Sequence, residues 1–262
     1  MTGALMALGA VLYGLGIRGY DGAHPDRPFP RRAVAAFAAG LLALAAVLVG
    51  PVDRLAGERF AWHMAQHLVV TMVAAPLLLL GRPVGLARRA APAPVRRALL
   101  VVLRTRGAGW LTHPVVTWSG FAVTLWASHF TSLYQRSIES ASLHAVEHAL
   151  YLAASLLFWL PVIGAEPSRH RLGPAARLLY VFLAAAVSSL LASTLVQSGR
   201  VLYPAYAGPG ALADQRTAGA LMWIVGGLLF LGAALLVAGA WARSERSRVG
   251  GQQPEGATPE RA

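Results

Sequence analysis

Four of the eight histidines in this 262-residue chain come in two i, i+4 pairs. His63 and His67 lie in HMAQH, and His144 and His148 in HAVEH. Four residues make one helical turn plus about 40°, so each pair shares one helix face. Two imidazoles so placed can ligate one ion, and two such helices supply up to four nitrogens. Glu147, inside the second pair, can act as a further ligand or as the acceptor that fixes an imidazole tautomer. Met64 and Met222 offer thioethers, which favour a soft ion such as Cu(I). The chain has no cysteine, which excludes disulfides, thiolate metal sites and thiol redox chemistry.

The elements that must position these residues are membrane helices. Hydrophobic residues make up 56% of the chain and charged residues 13%, about half the roughly 25% of a soluble domain. Mean hydropathy is +0.54. The pattern predicts an all-α, polytopic helical bundle of about seven spans. They run from Thr2 to Ile17, Ala33 to Val49, Phe60 to Leu80, Pro114 to Phe130, Ser142 to Ile163, Ala175 to Val196 and Thr217 to Trp241. Residues 1–243 read as a single integral membrane domain. Residues 244–262, rich in Gly, Pro, Gln and charge, read as a disordered cytoplasmic tail. Ala4 to Ile17 reads as a retained helix, because no basic region precedes it and no cleavage site follows.

Formal net charge is +12, and every basic residue other than histidine is arginine. Such a balance can mark a nucleic-acid binder, but these arginines sit in links between apolar runs, so no nucleic-acid partner is expected. Links one–two, three–four and five–six are arginine-rich and the others are poor; link four–five carries only Arg136. The positive-inside rule then puts the N-terminus outside and the tail in the cytoplasm. The Leu86 to Arg106 link reads as a basic interfacial helix starting at Pro92 and Pro94, set against anionic membrane lipid.

With this topology both histidine pairs lie roughly 5–12 Å below the outer ends of their helices. His129 closes span four at the same level, and Asp214, Gln215 and Met222 open span seven there. Polar groups inside a membrane bundle are costly and usually functional. Three readings of the layer stay open. One is a metal site. Another is a bis-His haem, with His63–His148 or His67–His144 facing across the bundle. The third is a hydrogen-bonded network that joins helices, carries protons or serves a transporter. Asp214 also suits a helix cap, and His113 a helix-start role beside Pro114. No GxSxG, P-loop or dinucleotide fingerprint is present, and no nucleophile–base pair is evident, so no enzymatic activity is expected.

The motifs HMAQH through PLLLLG (His63 to Gly81), the His113–Pro114 start of a helix ending in His129, SLHAVEHALYLAASLLFWLPV (Ser142 to Val162) and DQRTAGALMWIVGG (Asp214 to Gly227) resemble the CtaG family of polytopic bacterial cytochrome c oxidase assembly proteins. The resemblance covers roughly Ala33 to Trp241. A single-span, cysteine-containing copper chaperone shares that family name; this chain resembles only the polytopic group. The resemblance implies a multi-pass protein of the bacterial plasma membrane. It would associate with cytochrome c oxidase subunits and help copper reach the respiratory-chain oxidase on its outer side. The implied copper site is His63, His67, His144 and His148, with Asp214 and Met222 as contributors. Glu147, Gln66 and His129 stand behind them.

Overall fold

The computed structural model describes residues 2–130, 140–166 and 169–250; these form helices joined by short links, with no strand among the described residues. In chain order they are α1 (Thr2–Ala23), α2 (Arg31–Leu48), α3 (Pro51–Glu58) and α4 (Phe60–Leu68). A π-helical turn, Val69–Ala74, joins α4 to α5 (Ala75–Leu80). Next come α6 (Pro83–Ala90), α7 (Ala93–Arg104), α8 (Arg106–Leu111) and α9 (Pro114–Phe130). The chain finishes with α10 (Ala141–Ile163), α11 (Pro174–Gln197), a short 3-10 turn (Pro204–Tyr206) and α12 (Ala211–Gly250).

Six of the helices are long and apolar enough to cross a membrane. α9, expected as a further span, is 17 residues long, somewhat under the ~20 a span needs. Arg136, in the link that follows, lies outside the described residues. α1 runs past its expected end at Ile17 to Ala23. α12 continues through residues 244–250, the start of the segment expected to form a tail; residues 251–262 lie outside the described residues. Between α5 and α9, Pro92 precedes and Pro94 sits inside the first turn of the basic helix α7, as the link sequence predicts.

The outward faces stay apolar: Leu5, Leu8, Leu12, Leu42, Phe182 and Leu236 are all exposed, as a helix surrounded by lipid requires. Inside, Phe158, Leu191, Leu195 and Val181 are buried in the main cluster. The widest helix pair is α11 with α12, and a glycine permits it. A Cβ at Gly219 would come within 2.8 Å of Val196 and 3.0 Å of the Ala192 carbonyl. Small residues at such crossings are how membrane helices approach closely.

Span three, α4 to α5, is broken in a specific way. In its π turn the Ala75 N–H bonds to the Val70 carbonyl, five residues back. Carrying on, residue 76 would serve the Thr71 carbonyl, but Pro76 has no N–H to give. The Trp159 indole N–H, from α10, donates to that carbonyl instead at 2.8 Å. One proline, one π turn and one tryptophan therefore lock span three to span five, one turn below the histidines.

Candidate metal centre

His63 and His67 project from α4, and His144 and His148 from the first turns of α10. The structure brings all four together. Ring centroids are 4.4 Å apart for His63–His67 and for His144–His148, the two pairs within a helix. Across the helices they are 5.4 Å for His63–His144, 5.9 Å for His63–His148 and 5.3 Å for His67–His148. Glu147 lies with them: its Oε1 is 4.0 Å from His67 Nε2. Ligand atoms of His63, His67 and Glu147 all lie within 4.8 Å of one another. His63, His67, Glu147 and His148 are buried, and His144 is half-buried.

The nitrogens are prepared as donors. His148 Nδ1 faces the His144 carbonyl at 3.0 Å; a carbonyl only accepts, so Nδ1 carries the proton and Nε2 keeps its lone pair. Among the described residues His148 Nε2, His144 Nε2 and His67 Nδ1 are buried with no hydrogen-bond partner. Each such buried group costs about 1–3 kcal/mol, which a bound cation offsets for a nitrogen bearing a lone pair. His63 Nε2 and His67 Nε2 are 2.5 Å apart. Two nitrogens on one ion at about 2.1 Å in tetrahedral array lie roughly 3.4 Å apart. Loading an ion therefore needs this pair to open by less than about 1 Å.

A cavity of about 30 Å³ adjoins the cluster, lined by Met64, Met72, Met222, His67, His129 and Tyr151 among others. His67 thus belongs both to the imidazole cluster and to a thioether-lined hollow. His129 borders the hollow with Nδ1 on the Leu125 carbonyl at 2.7 Å, so its proton sits on Nδ1. The Tyr151 hydroxyl meets Ser128 Oγ at 2.5 Å, tying α10 to α9, and its ring lies 3.9 Å from His67.

Asp214 and Gln66 have other partners. Asp214 Oδ2 accepts the Phe60 N–H at 2.7 Å, so it caps α4, the helix that bears His63, from across the bundle. It is not in the group of converging ligand atoms. Its neighbour Gln215 accepts the Leu202 N–H at 2.7 Å and donates to the Arg200 carbonyl at 3.1 Å. The two residues together fasten the α11–α12 turn and the head of α4. Gln66 donates to the Val47 carbonyl at 2.6 Å and to Asp53 Oδ1 at 3.1 Å, anchoring α4 to α2 and α3.

Tyr151, Met72 and Asp53 were not singled out from the sequence. A signal for Tyr151 was available: it is three residues after His148 and four after Glu147, on the same helix face. Met72 follows Met64 and Leu68 at i+4 steps, but the π turn changes which face that spacing reaches. Asp53 gave no signal, since its role depends on a helix contact that only the fold creates.

Comparison with known proteins bears on this arrangement. The family model described as cytochrome c oxidase caa3 assembly factor matches residues 11–244. Uncharacterised proteins of Mycobacterium bovis and Mycobacterium tuberculosis are each 26% identical to the chain over 201 residues, covering 71% of it and 30% of their own length. One from Mycobacterium leprae is 26% identical over 234 residues, 83% of the chain and 35% of that protein. The chain therefore spans about a third of the length of these curated relatives. No solved structure matches it. The match extends from the middle of α1 into α12 and includes both histidine pairs and Asp214. On that extent, the chain belongs to the cytochrome c oxidase caa3 assembly factor family.

Proposed function

We propose that the chain handles Cu(I) for a haem–copper cytochrome c oxidase, holding the ion between spans three and five near the outer face of the bacterial plasma membrane. It acts as an assembly factor and not as a catalyst. The observation that carries this reading is the convergence of four imidazoles and Glu147, with buried ring nitrogens that find no hydrogen-bond partner among the described residues. Copper is the reading for the ion because the adjoining hollow presents three thioethers, soft donors that suit the cuprous state. The family supports an association with the oxidase, and the arginine-rich links support the orientation. An ion fits this geometry better than a haem. Haem-sized ligands need a pocket of roughly 300–1,000 Å³, whereas the hollow beside the cluster is about 30 Å³.

The test is metal analysis, with an optical spectrum, of protein purified under reducing conditions after copper supplementation. About one copper per chain, lost when all four histidines are replaced, is the expected result. A Soret band would instead mark haem. Absence of both signals, together with ion flux in liposomes, would point to a transport bundle and overturn the copper reading.

A further inference from the structure

A second site lies at the opposite end of the bundle. A pocket of about 530 Å³ opens where α2 begins and span three and α10 end, lined by Arg32, Arg82, Arg89 and Arg171 with one carboxylate, Glu166. Its arginines come from all three basic links. Glu166 is already paired, 2.8 Å from Arg88. Among the described residues none of the four lining arginines forms an ion pair with a carboxylate. Four arginines therefore line one pocket with a single carboxylate, itself held by Arg88, beside the apolar walls of Leu80 and Ile163.

Backbone geometry points the same way. Arg82 has φ +54°, the only positive φ among the described residues other than glycine. L-residues avoid this region, and Pro83 disfavours the ordinary helical alternative for Arg82. The chain thus holds a strained arginine at the pocket where glycine would sit without strain. About fifteen residues of helix separate it from His67, or roughly 22 Å at 1.5 Å per residue.

We propose that this pocket binds the phosphate of an anionic phospholipid. Guanidinium forks match phosphate oxygens in pairs, and basic pockets between membrane helices on the cytoplasmic side suit such headgroups. The volume is of the size that admits a small ligand, and the exposed Leu80 beside it gives an acyl chain an apolar track. The site is separate from the copper reading and stands or falls without it.

The experiment measures equilibrium binding of fluorescent phosphatidylglycerol to the full chain in neutral detergent, with unlabelled phosphatidylglycerol, phosphatidylcholine and inorganic phosphate as competitors. Phosphatidylglycerol should compete and phosphatidylcholine should not, and millimolar phosphate should displace little. The R32Q/R82Q/R171Q variant should bind about a hundredfold more weakly, from roughly a factor of five per arginine. Arg82→Gly separates binding from folding: it removes a charge yet relieves the backbone. It should raise the lipid-free unfolding midpoint while lowering phosphatidylglycerol affinity several-fold. Equal affinity for both lipids, or wild-type binding by Arg82→Gly, overturns the proposal. Displacement by phosphate alone overturns its assignment to a lipid.

Discussion

Replacing Asp214 separates capping from ligation. Its carboxylate accepts the first free N–H of α4, at Phe60, 2.7 Å away, and Phe60 is itself buried. Loss of a capping acceptor costs about 1 kcal/mol, and loss of a negative charge at a helix N-terminus a further 0.3–1 kcal/mol or so. Asp214→Ala should therefore destabilise the bundle by about 2 kcal/mol, read by equilibrium unfolding in mixed micelles. If that loss passed wholly to the histidines, copper affinity would fall roughly thirtyfold. Asp214→Asn keeps an acceptor oxygen and drops only the charge. It should recover most of the stability and hold copper within about tenfold of the wild type, measured by competition with a Cu(I) chelator. A copper loss in Asp214→Asn as complete as in His63→Ala would refute the capping argument and make the carboxylate a ligand.

Other perturbations test neighbouring parts of the argument. His67→Ala and His148→Ala should each abolish copper-dependent oxidase assembly while leaving the protein in the membrane; normal oxidase activity in both would remove these residues from the site. Trp159→Phe should cost about 1–3 kcal/mol because the Thr71 carbonyl loses its donor. Adding Pro76→Ala supplies a backbone N–H and should recover part of that loss; no recovery would refute the link between the proline and the tryptophan. Gly219→Val should destabilise by about 1–3 kcal/mol through overpacking, since even a Cβ there meets Leu195 at 2.9 Å. Tyr151→Phe should lower stability by about 1 kcal/mol through the lost bond to Ser128, with copper stoichiometry unchanged.

The helical class and the approximate spans were legible because apolar runs of about twenty residues admit few alternatives in a chain so poor in charge. The convergence of His63, His67, His144 and His148 was half legible. Spacing puts each pair on one face, and the arginine pattern puts both at one depth. That α4 faces α10 is a property of packing, and the sequence carries it only through contacts such as Trp159 with Thr71. That Asp214 suits a cap was legible, but which helix it caps was not, for a related reason. Caps are sought within a residue's own helix, whereas this one acts on a helix 154 positions earlier. The π turn was foreshadowed only by Pro76, whose missing N–H does not say whether a kink, a bulge or a tryptophan answers it.

The π turn has a consequence for how this family can change. A π turn is an α-helix carrying one extra residue, so deletion of a single codon between positions 69 and 74 would restore a regular helix. The repaired segment would keep its apolar character and its hydrogen bonds. A π residue advances roughly 82° against 100° for an α residue, so the six-residue turn winds about as far as five residues of α-helix. His63 and His67 would therefore stay on nearly the face they share with α10. If the lost residue lay after Thr71, Pro76 would stand four positions beyond Thr71, where a proline ring presses on the carbonyl it faces. The extra residue thus gives the proline and the Trp159 indole room at the Thr71 carbonyl, and leaves the direction of the histidines to the rest of the helix.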